Sequence, residues 1–114
     1  MPERGKVRKS PRYAIPALVD YTSDRVVLRG HKLHNISLGG LSLLSDREEE
    51  TGAMASLLIT FPELDNVALA VQGEVVRVNG APPGEIAVKW VNIDDAVREK
   101  LRTYLATIGA RKQE

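Results

Sequence analysis

Two short segments hold the side chains best placed to do chemistry. The first is Arg8-Lys9-Ser10-Pro11-Arg12. Pro11 does not sit easily in a regular helix and pushes Ser10 toward an extended conformation, so the segment can wrap over a surface and bring two guanidinium groups onto one ligand. Each planar fork takes a phosphate bidentately or reaches the two acceptors on the major-groove edge of guanine. The second is Asn35-Ile36-Ser37-Leu38-Gly39-Gly40. On a strand, Asn35 and Ser37 leave one face together, while Ile36 and Leu38 point into the core. Asn35 offers both a donor and an acceptor, enough to read a base edge. Gly39-Gly40 suits a tight hairpin turn, where a missing side chain lets a ligand approach the backbone. The alternative for this segment is a plain hairpin whose polar residues cap the turn.

Other chemistries find little support. His31 and His34 are the only histidines, three apart in an expected strand, so they should point to opposite faces and share no metal. The acidic run Asp46, Glu48, Glu49 and Glu50 lacks the ligand spacing and turn glycine of a calcium loop and reads as a solvated loop. No Gly-x-Ser-x-Gly elbow, phosphate-binding P-loop or dinucleotide fingerprint is present. Neither an enzyme nor a metal site nor a cofactor is expected.

The elements that must position the two segments are mostly strands. Ile15, Ala17, Val19 and Tyr21 alternate with Pro16, Leu18 and Asp20, which is a strand signal. Pro16 has no N–H to give, so this strand should lie at an edge or begin there. Val26 to Ile36 reads as a second strand with a bulge or bend at Gly30. Leu41 and Leu43 start a third; Leu57, Ile59 and Phe61 make a fourth, stopped by Pro62. Val67 to Val78 is the longest, with Val67, Leu69, Val71, Gly73 and Val75 on one face, and Ile86, Val88 and Trp90 form a sixth. The period changes only at the end, where Ile93, Val97, Leu101, Tyr104, Leu105 and Ile108 form a helical stripe. Asp94 or Asp95 suits its N-cap and Gly109 its C-cap. The expected fold is mainly β: a six-stranded antiparallel barrel over about 13–92, a C-terminal α-helix over about 94–108 packed on the barrel or plugging one end, and a polar tail at 109–114.

Composition agrees with one domain. The chain has 114 residues, 43% hydrophobic and 27% charged, with sixteen Lys+Arg, fifteen Asp+Glu and no cysteine. Disulfides, cysteine-ligated zinc and a cysteine nucleophile are thereby excluded. No stretch approaches the roughly 20 apolar residues of a membrane span, and the charged N-terminus lacks the apolar centre of a signal peptide. The cytoplasm is the expected address. The net charge of +1 hides a division: residues 1–12 hold Arg4, Lys6, Arg8, Lys9 and Arg12 against Glu3 alone, while the body is mildly acidic. A basic arm on such a body is suited to meeting an anion. Few aromatics and no basic stripe on the strands argue against nucleic-acid binding.

Taken in this order, the segments resemble the PilZ domain family, bacterial receptors for cyclic di-GMP, whose signature is RxxxR followed by [D/N]xSxxG. Here those are Arg8 and Arg12, then Asn35, Ser37 and Gly40. The resemblance extends to Val71, Gly73, Val75, Val76, Arg77 and Val78, and to the last strand and helix, so it spans roughly Val7 to Ile108. Arg4 and Arg8 form a second such pair, yet only Arg8–Arg12 runs directly into the first strand. Val7 stands where some relatives carry another basic residue, which favours one ligand molecule per site. Trp90, where phenylalanine is common, reads as core, and Lys89 is placed on the same side as Asn35.

The resemblance implies a six-stranded barrel with a C-terminal helix. It also implies that Arg8 and Arg12 grip the phosphates and guanines of cyclic di-GMP, that Asn35 and Ser37 bind a guanine edge or phosphate, and that Gly40 shapes the turn. The candidate ligand-binding set is Arg8, Lys9, Arg12, Asn35, Ser37, Gly39 and Gly40. The function expected is a cyclic di-GMP receptor and adaptor that orders its N-terminal arginine arm, residues 1–7 leading into the domain at 8–108, and signals through a protein partner. A ligand-independent PilZ-type interaction module is the alternative.

Overall fold

The computed structural model describes residues 12–80 and 83–112. Seven strands and one long helix follow in chain order: β1 (Leu18–Thr22), β2 (Val27–Lys32), β3 (Asn35–Ile36), β4 (Gly40–Ser45), β5 (Met54–Phe61), β6 (Val67–Asn79), β7 (Gly84–Trp90) and α1 (Asp95–Lys112). All pairings are antiparallel, in one sheet of order β2-β1-β5-β6-β7-β4-β3. The strands that end the sheet, β2 and β3, are consecutive in the chain, joined only by Leu33 and His34. That short link requires the sheet to curl until its two edges meet. Leu33 N–H donates to Ala17 on one side, and His34 N–H donates to Ser42 on the other. His31 spans the same seam, its Nε2–H donating to the Leu44 carbonyl at 2.6 Å.

The stretch expected as one strand from Val26 to Ile36 is therefore two, which raises the count from six to seven. Its single period of alternation hides a change of partner, from β1 to β4, at residues 33–34. The bend at Gly30 is present as a bulge: Val19 pairs with His31 but Tyr21 with Leu28. Pro16 lies just before β1, so its missing N–H costs the ladder nothing, and β1 is an interior strand. His31 lies on β2 and His34 in the link after it, and both border one recess. Among the described residues, no group of metal-ligating side chains is close enough to hold an ion.

The inward faces are those read from period two. Ile15, Ala17, Val19, Tyr21, Leu57, Ile59, Phe61, Leu69, Val71, Val75, Ile86, Val88 and Trp90 are all buried. The helix closes one mouth of the curled sheet with Leu101, Leu105 and Ile108, each nearly inaccessible. Fully burying such a side chain is worth about 1.5–3 kcal/mol. Tyr104 meets Phe61 edge-to-face, with ring centroids 5.5 Å apart. Asp94 is the N-cap, its Oδ1 accepting the Ala96 N–H at 2.9 Å.

Gly109 does not cap the helix, which continues to Lys112. Its role is close approach: a Cβ there would lie 2.9 Å from Cε2 of Tyr13. The Tyr13 ring thus rests against the helix backbone. At the far side, the acidic loop is tied to the core by Glu49, which accepts hydrogen bonds from the hydroxyls of Tyr21 and Ser23. Burial, reinforced by that carboxylate, holds the Tyr21 phenol neutral well above its usual range.

Candidate functional site

The residue that joins the two motif segments is Tyr13. Its N–H donates to the Ile36 carbonyl at 2.8 Å and its carbonyl accepts the Ile36 N–H at 2.9 Å. With Ile36 buried in the core and the Tyr13 ring seated on Gly109, this backbone bridge fixes where the arginine segment enters the barrel. Arg12, one residue earlier, is thereby placed over β3 and β4.

The turn after β3 is held from three directions. The Ser37 N–H donates to Gly40 O at 2.8 Å, and the Gly39 N–H donates to Ser37 Oγ at 3.1 Å. From β7, the Trp90 N–H donates to Gly39 O at 3.0 Å; from the helix, Arg98 Nη1 donates to Leu38 O at 3.4 Å. Gly40 is a steric necessity, since a Cβ there would stand 2.0 Å from the Val88 carbonyl oxygen. Gly39 is different: a Cβ would meet only Ser37 Oγ, at 3.9 Å, so its surface is open.

A cleft of about 160 Å³ lies across the outer face of β3, β4, β7 and the end of β6. Register explains its shape. Asn35 pairs with Ser42, Ser42 with Ala87, and Ala87 with Arg77, so these four form one row across four strands. Gly40 pairs with Lys89 in the next row. Directly paired residues share a face, and here the central positions are small while the rim positions are long. Ser42 and Ala87 form a floor only 2% and 7% exposed.

Arg12, Asn35, Ser37, Gly39 and Gly40 all line this cleft, so the structure brings together five of the seven candidate residues. Arg8 and Lys9, with Arg4 and the arm at 1–7, lie outside the described residues. Lys89 does stand on the Asn35 side. Trp90 is core, 6% exposed, and its indole N–H finds no partner among the described residues.

Sequence reasoning passed over Arg77, Val76 and Ser42 as site residues. Continued from Val71, Gly73 and Val75, strict alternation would aim Arg77 inward. The structure inserts a bulge instead: Val75 pairs with Val88 but Arg77 with Ala87, so Val76 is the extra residue and Arg77 turns outward. The one available signal was the doubled Val75-Val76 before an arginine, a break in period two.

The cleft carries three cations, Arg12, Arg77 and Lys89, and no carboxylate in its lining. Arg12 and Lys89 make no ion pair among the described residues, and the Asn35 amide makes no hydrogen bond there. Arg77 Nη2 contacts Glu85 Oε1 at 3.0 Å, just beyond the rim. The guanidinium holds the Glu85 carboxyl below its ordinary value of 4.5. A depressed carboxyl stabilises the fold above the unfolded-state value, and that contribution is lost as pH falls through the folded value. Both partners are substantially solvated, so the effect is small. Between neutral pH and pH 3, Glu85→Gln should lose less stability than the parent, by under about 1 kcal/mol in paired denaturant melts. An identical pH profile for the two proteins would show that the pair contributes nothing.

A cleft with this charge can attract an anion. Residues 6–107 match the PilZ domain family, and the chain belongs to it. PilZ domains are receptor and adaptor modules. Among solved structures, the Bacillus subtilis inhibitor of motility MotI/DgrA is similar in fold, with a TM-score of 0.79 at 21% identity. That match covers 100% of this chain and 59% of the neighbour, so the chain spans about three-fifths of that protein's length. No curated protein sequence matches the chain. No helix among the described residues is long and apolar enough to cross a membrane.

Proposed function

We propose that this PilZ domain is a cytoplasmic receptor for cyclic di-GMP that draws its arginine arm across the cleft on binding and signals through a protein partner. The observation that carries the reading is the Tyr13–Ile36 bridge, which sets Arg12 over the same cleft as Asn35, Ser37, Gly39 and Gly40. Arg8 is four residues before Arg12, within roughly 14 Å of extended chain, and so can reach the same ligand. The ligand brings two phosphate charges and two guanines. The cleft answers with Arg12 and Lys89, which make no ion pair among the described residues, with the Asn35 amide, and with a floor of small residues.

Binding fixes Arg8 and Lys9 on this surface, at a cost in chain entropy that subtracts from affinity. The surface so formed is what a partner reads. The neighbour in fold is named an inhibitor of motility, an output that suits an adaptor. The alternative reading, a ligand-independent interaction module, draws on Ser37, whose hydroxyl is already engaged within its own turn.

Calorimetric titration of the purified chain with cyclic di-GMP, beside GTP and cyclic di-AMP, separates the two. Selective binding at micromolar affinity or tighter is expected, and it also counts ligand molecules per site. Absence of heat from a demonstrably folded protein would move the weight to the ligand-independent module.

A further inference from the structure

The bulge in β6 places two side chains at the cleft rim that no motif names. Val76 is 44% exposed and offers bare apolar surface, and Arg77 stands next to it at the end of the Asn35–Ser42–Ala87 row. Between this rim and Lys89 the cleft is lined by Gly40, Ser42 and Ala87, all of them small. Glu85 holds Arg77 through one nitrogen of the guanidinium, which fixes its direction and leaves the remaining donors uncommitted among the described residues.

Resting on the cyclic di-GMP reading above, we infer that Val76 and Arg77 form a guanine subsite: the base lies over the small-residue floor against Val76, and Arg77 donates to its O6 and N7. Glu85 is the positioning residue for that fork. The chemistry is directional. Guanine presents two adjacent acceptors on this edge, whereas adenine presents an acceptor beside a donor, which a guanidinium cannot satisfy. Arg77 is therefore a specificity-determining residue. Arg12 and Lys89, across the floor, are left for the phosphates.

The test is a cycle that pairs a change in the protein with a change in the ligand. Affinities are measured by calorimetry for the parent, Arg77→Ala and Arg77→Gln, each with cyclic di-GMP and with its 7-deaza analogue, which lacks the N7 acceptor. Arg77 is exposed and its one ion pair is solvated, so both variants should melt within a few degrees of the parent, and Arg77→Gln retains most of the stem.

For the parent, the analogue should bind several-fold more weakly than cyclic di-GMP. Both variants should lose about tenfold to a hundredfold for cyclic di-GMP, the range for one bidentate arginine–guanine contact. Both should also cease to distinguish the two ligands. Equal losses for both ligands, with the parent's preference intact, would mean Arg77 acts as a remote charge and would overturn the guanine assignment. Unchanged affinity in the variants would overturn it too. If the parent binds no cyclic di-GMP at all, the receptor reading falls and takes this inference with it, an outcome distinct from the other two.

Discussion

Gly40→Ala should unfold this domain about 12 °C earlier than the parent, a loss of about 3 kcal/mol. The backbone conformation at Gly40 is not unusual; the constraint is distance. An added Cβ would lie 2.0 Å from the Val88 oxygen, 3.0 Å from its carbonyl carbon and 3.1 Å from Lys89 Cα. All three are backbone atoms of β7, so no side chain can swing aside. The strands must separate where Gly40 pairs with Lys89 and Leu41 with Val88, under the floor of the cleft. Gly39→Ala is the control. Its Cβ would make only an ordinary contact with Ser37 Oγ at 3.9 Å, and a change within about 0.5 kcal/mol is expected. Thermal melts of both variants decide the matter, and comparable losses would show that turn flexibility, not strand contact, is what the glycines supply.

The second large effect is on binding. Arg12→Ala should weaken cyclic di-GMP by about 2–4 kcal/mol, or roughly 30-fold to several hundred-fold, because it removes a charged fork from a dianionic ligand. The fold should be indifferent. Arg12 is exposed and unpaired among the described residues, and the bridge that anchors the segment is made by the Tyr13 backbone. Arg12→Lys retains the charge without the fork and should fall between the two. The readout is the dissociation constant by calorimetry with the melting temperature as control. A variant that melts and binds as the parent does would remove Arg12 from the site.

Much of this was legible from residue order. The inward sets Val19/Tyr21, Leu57/Ile59/Phe61 and Ile86/Val88/Trp90 follow from alternation, and the stripe from Val97 to Ile108 follows from helical spacing. Both periods are consequences of local backbone geometry, so they need no knowledge of neighbours. The turn at Ser37 to Gly40 is local in the same sense. What failed was wherever a neighbour decided the outcome. Val26 to Ile36 alternates as one strand, but at Leu33 it leaves β1 for β4 because the sheet curls. Gly109 looks like a helix stop by type and place, and instead it is the gap into which Tyr13 fits.

The chemistry divides along the same line. That Arg12, Asn35, Ser37 and Gly40 belong together could be read from their types and order, through the resemblance they carry. Arg77 could not, because its direction depends on a register shift against Ala87, and register is set by hydrogen bonds between strands distant in sequence. Residue order alone determined which faces are apolar and which short segments bear charge. Only the curled sheet decided which cations share a cleft, since sharing a surface is a relation between strands and no single strand's periodicity contains it.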